Sequence, residues 1–148
     1  MFAIFKRKKL VFCAIAVFFA VGIFAAAISR CAPQQDAETT DINDFCISFL
    51  KDKNVKMSNN LPQSIDTVLL PRDFSAALAE YNDLQKRQGF DLSAFAGKTV
   101  LKYTYGVDSD ERSDIVAVVF VYGRQIIGGD IHCIGTDGYM TGFDGEAA

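Results

Sequence analysis

Apolar and polar positions alternate with two different periods along this chain, and one stretch has no period at all. From Leu10 to Ile28 the sequence runs 19 residues without a charge or a proline, long enough to span a hydrocarbon core of roughly 30 Å as a helix. Further on, Ile115 to Tyr122 and Gln125 to Ile134 are apolar strands separated only by Gly123-Arg124. A two-residue loop fixes hairpin register, so Tyr122 is predicted to face Gln125, Phe120 to face Ile127, Val118 to face Gly129 and Val116 to face Ile131. Alternation then puts Val116, Val118, Phe120, Ile127, Ile131 and Cys133 on one sheet face. Ile115, Ala117, Val119, Val121, Ile126, Asp130, His132 and Ile134 fall on the other. The first face carries no charge and reads as core; the second turns polar at Asp130 and His132, as a partly solvated face does. Gly128-Gly129 reads either as a bulge or as a close approach of another backbone.

Helical spacing appears twice. Ile42, Phe45, Cys46, Phe49 and Leu50 predict an amphipathic helix over Asp41 to Asp52, capped by Thr40 or Asp41. Phe74, Ala77, Leu78, Tyr81 and Leu84 predict a second from Pro71 to about Gln88, stopped by Gly89. Val55 to Met57 and Ser64 to Leu70 read as strands around the Ser-Asn-Asn-Leu-Pro turn. Thr99 to Val107 reads as another, with Leu101, Tyr103, Tyr105 and Val107 on one side. Asp108 to Asp114 is a solvated loop. Asp137-Gly138 marks a turn before a last strand over Tyr139 to Phe143. Short turns make neighbouring strands antiparallel. The predicted class is therefore α+β: an N-terminal transmembrane or signal helix, then two helices packed on one face of an antiparallel sheet that ends in a β-meander.

Charge sorts the chain into compartments. Five of the 15 basic residues, Lys6, Arg7, Lys8, Lys9 and Arg30, flank the first apolar run, which leaves 10 against all 18 acidic residues in the remainder. Basic residues ahead of a spanning segment hold the N-terminus in the cytoplasm, so the remainder is predicted to lie outside, with residues 10–28 in the membrane. The segment stays as a signal anchor, is cut after Ala25-Ala26-Ala27 as a signal peptide, or precedes a lipidated Cys31, against which the bulky Arg30 speaks. The reading is an anchor or signal peptide over 1–30, a linker over 31–40 with nothing large and apolar to bury, an extracytoplasmic domain over 41–143 and a tail over 144–148. So acidic a domain lacks the basic footprint that nucleic acid requires.

The body of the domain also carries a resemblance. Tyr81-Asn82-Asp83-Leu84-Gln85, Gln88-Gly89-Phe90-Asp91-Leu92, Gly97-Lys98-Thr99-Val100 with Tyr103-Thr104-Tyr105, and Gly128-Gly129-Asp130-Ile131 with Asp137-Gly138 resemble an uncharacterised bacterial family, the domain of unknown function numbered 4830. Its members are small membrane-tethered or secreted proteins. The resemblance implies an envelope setting and a compact domain; no activity and no catalytic residues come with it.

Candidate chemistry centres on the one histidine. Asp130 and His132 share a strand face, close enough for a carboxylate to orient an imidazole suited to acid-base work, with Lys102 or Thr104 nearby on the preceding strand. Asp130, His132 and Lys102 are the candidate binding residues. Cys133 points the other way, so Asp-Ile-His-Cys is no Cys-His dyad. No C-x-x-C spacing and no calcium-loop pattern occurs, and no metal or cofactor is expected. Cys46 and Cys133 both face the predicted core, either as a disulfide, which export permits, or as two small buried hydrophobes. Three functions fit: a non-enzymatic interaction module binding an envelope protein or peptide through a sheet edge or the Asp130/His132 face; a small enzyme built on His132 and Asp130; and, by analogy of fold alone, a cystatin-like or PepSY-like inhibitory domain.

Overall fold

A computed structural model describes residues 35–109, 114–135 and 138–145. The apolar run from Leu10 to Ile28 with its three fates, most of the 108–114 loop and the Asp137 turn position lie outside the described residues. Among the described residues no helix is long and apolar enough to cross a membrane.

The chain order is α1 (Gln35–Asp52), β1 (Ser64–Leu69), α2 (Ala76–Arg87), a 3-10 turn (Leu92–Phe95), β2 (Thr99–Gly106), β3 (Ile115–Tyr122), β4 (Gln125–Cys133) and β5 (Met140–Thr141). The α+β class and the antiparallel meander are as predicted. α1 starts at Gln35 rather than Asp41, because Gln, Ala and Glu are good helix formers and Gln35–Asp52 contains no proline; the expected linker is therefore helical from Gln35. The helix ends where Asn54 enters the left-handed region (φ 59), a conformation asparagine tolerates. α2 starts at Ala76 rather than at Pro71, since Ser75 caps it: its hydroxyl accepts from Leu78 N at 3.2 Å. Of the two strands expected before α2, Ser64–Leu69 forms, whereas Met57 makes only an isolated bridge with Val107.

The strands lie in sequence order, β1-β2-β3-β4-β5, all antiparallel. The β3-β4 turn begins at Gly123, whose φ of 58° suits the first central position of a type II′ hairpin turn. Tyr122 faces Gln125 as predicted. Beyond that the predicted register fails: Phe120 faces Gly128, Val118 faces Asp130 and Val116 faces His132, because a bulge between Phe120 and Val121 leaves Ile127 as an extra residue on β4. Both readings of Gly128-Gly129 are met: a Cβ on Gly129 would lie 2.1 Å from the backbone O of Val118, and the bulge adjoins Gly128. The bulge also inverts every later β4 side chain. Asp130 and His132 join the face of Val118 and Phe120, and Ile131 and Cys133 move to the other.

The helices cover opposite faces, not one. On the α1 side Ile42, Cys46, Ile47 and Leu50 pack with Tyr103, Tyr105, Ala117, Val119, Val121, Ile126 and Phe143. On the α2 side Leu78, Tyr81 and Leu84 pack with Leu92, Val100, Val118, Phe120, Ile127 and Met140. The reason can be seen in β3, buried at every position but Tyr122. A strand apolar on both faces needs a cover on each. The alternation read as core against half-solvated is thus two cores, each with its helix.

Candidate functional site

The bulge and α2 together build one polar group of side chains inside the α2-side core. Asp130 is 3 % exposed, and a buried carboxylate is tolerated only where its oxygens are hydrogen-bonded. Both are. Tyr81 Oη, from the middle of α2, donates to Oδ2 at 2.5 Å, and Oδ1 lies 2.6 Å from His132 Nδ1. A carboxylate only accepts, so Nδ1 carries the hydrogen of that contact and Nε2 is the nitrogen left for a partner. The His132 side chain is 26 % exposed. The group therefore runs from a fully buried phenol, through a buried carboxylate, to an imidazole that reaches the surface.

The neighbouring turn of α2 holds the bulge itself. Gln85 Oε1 accepts from Gly129 N at 2.8 Å. Gln88 Nε2 donates to Gly129 O at 3.0 Å, while its Oε1 accepts from Phe143 N at 2.7 Å. Two helical amides thus hold the N–H and the carbonyl of Gly129, the residue before Asp130. Asn82 does similar work at the 3-10 turn, accepting from Leu92 N at 2.7 Å and donating to Asp91 at 2.9 Å.

Of the residues the sequence singles out, Asp130 and His132 come together. Lys102 does not join them. It stands opposite Phe120, two residue pairs along from the Thr104-Val118-Asp130 row, and its Nζ pairs with Asp66 at 3.2 Å. The residue that completes the group, Tyr81, reads in sequence only as part of an apolar stripe. The available signal is chemical: a tyrosine in such a stripe buries a hydroxyl that must find a partner. Cys46 and Cys133 are both buried, as expected, and both are free thiols. Cys46 lies against Tyr105, and burial pushes its thiol up to about 11. Cys133, at the far end of β4, donates to Asp114 Oδ2 at 2.9 Å. Each sulfur has its own neighbour, so no bridge joins α1 to β4.

Burial, then the Asp130 charge and the hydrogen bond to it, hold the Tyr81 phenol well above the ordinary tyrosine range. Tyr105 is raised for the same first reason. A folded-state pKa above the unfolded one means that the protonated group stabilises the fold at every pH below the unfolded value. That stability is lost as pH rises from there towards the folded value. Stability should therefore fall from about pH 9 to 10 upward, where unfolded cysteine and tyrosine ionise. Tyr81→Phe removes one of these groups and is expected to flatten that fall. It also leaves Asp130 with one hydrogen bond fewer, a cost of about 1–3 kcal/mol at neutral pH. Urea midpoints measured between pH 7 and 11 check this. Identical slopes for wild type and Tyr81→Phe would mean that the Tyr81 pKa is unchanged by folding.

Chemically, the Asp130-His132 pair can orient an imidazole for proton transfer or hydrogen bonding at Nε2. The next requirement for acyl transfer, a nucleophile beside the ring, is not met by Cys133, which faces α1. Among the described residues no group of three His, Cys, Asp or Glu side chains converges on a metal position. Comparison with known proteins returns no match among curated proteins and none among solved structures. A family does match, over residues 45–131, from the middle of α1 through the Asp130 position and more than half of the chain, and this chain belongs to it: the family described as Domain of unknown function (DUF4830).

Proposed function

We propose that this protein is a non-enzymatic interaction module of the cell envelope, held at the membrane by residues 10–28 with its domain on the extracytoplasmic side, and that it binds an extended segment of a partner protein along β1. The membrane part of the reading is supported by the charge-free run and the basic cluster ahead of it. The binding part is carried by one observation: β1 is an edge strand of the sheet and presents Ile65 (41 % exposed) and Leu69 (66 % exposed) to solvent. An open edge with apolar side chains accepts an added strand, the backbone supplying affinity and alternate side chains specificity.

A photo-reactive side chain placed at Ile65 of the full chain in membranes tests the reading. A discrete cross-linked adduct is expected there and none from the same group at Glu80, which is exposed on α2. Equal, diffuse labelling at both positions would refute an edge-binding role. The Asp130-His132 contact favours a second reading, a small enzyme with His132 as proton carrier. His132→Gln would then abolish turnover while leaving the Ile65 adduct unchanged.

A further inference from the structure

The shape of the β1 edge points to its partner, an inference that rests on the edge-binding reading above. Thr104 O accepts from Gln63 N at 2.7 Å and Gly106 O from Ser58 N at 2.9 Å. Even-numbered positions of β2 therefore direct their backbone groups towards β1. Their register partners Ser64, Asp66 and Val68 spend their own groups inward, and by alternation Ile65, Thr67 and Leu69 turn theirs outward. The strand is bounded by Pro62 and Pro71, which have no N–H to give a longer ladder. Whatever binds this edge has three outward residues to pair with.

We propose that the occupant is a second copy of this chain, joined β1 to β1 antiparallel about a two-fold axis at Thr67. Three observations favour a copy over an unrelated strand. The outward residues are symmetric about Thr67: the axis sets Ile65 of each copy against Leu69 of the other and Thr67 against itself, so apolar meets apolar on the exposed row. That self-complementarity is what an isologous interface requires. On the opposite row Asp66 faces Val68 of the second copy, never its own equivalent. Finally, the edge carries no uncompensated charge to hold a copy off. The Asp66 carboxylate is already taken by Lys102 at 3.2 Å and by the Ser64 hydroxyl at 3.1 Å, whereas edges that must stay single are guarded by free charges. Registers centred on Ile65 or Leu69 would lose part of the three-residue ladder. Pairing about Thr67 continues the five strands of each copy into one ten-stranded sheet.

The test uses the full chain in membranes with Cys13 and Cys31 replaced by serine. Thr67→Cys, exposed at the axis, is expected to form a disulfide-linked dimer under mild oxidation. Ile65→Cys and Leu69→Cys should stay mostly monomeric when expressed singly and should cross-link, several-fold more, when co-expressed. Glu80→Cys should not cross-link. Absence of the Thr67→Cys dimer, or equal cross-linking at Glu80→Cys, overturns the proposal. If the Thr67→Cys dimer is absent while the photo-reactive group at Ile65 still yields an adduct with another protein, the edge-binding reading stands and the second copy falls. Loss of both signals removes both.

Discussion

Phe120→Ala is expected to lower the stability of the domain by about 3–5 kcal/mol, the range for removing a fully buried aromatic ring. Phe120 is 1 % exposed and lies edge-on to the Tyr81 ring, 6.4 Å between centroids. It is the largest apolar side chain that β3 turns towards α2. The two-sided core makes the prediction sharper. Leu50, fully buried on α1, belongs to the other cluster, and Leu50→Ala should cost about 2–5 kcal/mol. The two residues share no packing cluster and are separated by the sheet, so the costs should add to within about 0.5 kcal/mol. Their sum approaches the whole stability of a small domain, about 5–15 kcal/mol, so the double variant should be largely unfolded. Denaturant midpoints of the two single variants, with exposed Glu80→Ala as a near-neutral control, provide the check. A coupling energy well above 0.5 kcal/mol would mean that the helices share one layer, as the sequence pattern alone suggests.

The elements were legible in the sequence where local rules decide them. Helical spacing from Ile42 to Leu50 and from Phe74 to Leu84, the Gly123 turn and the alternation of Thr99 to Val107 all lead to observed elements, because each reports a neighbour a few residues away. What could not be read depends on the third dimension. Assigning both helices to one face follows from treating Val119 and Val121 as half-solvated, yet Phe49, Phe90 and Phe143, two of them far along the chain, meet over that face with ring centroids 5.1–6.2 Å apart. No local periodicity announces such a contact. The site was half legible. Asp130 and His132 are two apart in any strand, so their meeting needs nothing but a strand; Tyr81 docks on the Phe120 face expected for its helix, but without the bulge Asp130 reads as lying on the other face, so their contact could not be seen. Lys102 shows the reverse error. It shares a face with Asp130, but the exact row is set by the bulge, and a nearer acid, Asp66, takes its charge.

The largest single effect is expected from Gly129→Ala, which should cost more than about 4 kcal/mol, in the exceptional class of point substitutions. A Cβ at Gly129 would lie 2.1 Å from Val118 O and 2.6 Å from Phe143 Cζ. The carbonyl belongs to the paired strand, so it cannot yield without opening the β3-β4 ladder. Phe143 is wedged against Phe49 and tied through its amide to Gln88. Neighbouring glycines define a ranking. Gly128→Ala meets the far end of Gln85, 2.8 Å away, and Leu92 Cδ2 at 3.1 Å. Those groups can shift, at about 1–3 kcal/mol for overpacking. Gly123→Ala meets nothing within 4 Å and bears only the left-handed backbone cost of about 1–2 kcal/mol. The order Gly129, Gly128, Gly123 follows from the bulge and from no other register. With the ladder unbulged, Asp130 would turn from Tyr81 towards Ala117 and Tyr105, whose hydroxyl already donates to Asn43 at 2.9 Å, so the domain should unfold instead of adopting that register. Urea midpoints of the three variants rank them, and near-UV circular dichroism reports the Tyr81 environment. A Gly129→Ala protein as stable as wild type would place Asp130 and His132 on the α1 side of the sheet and dissolve the Tyr81-Asp130-His132 group.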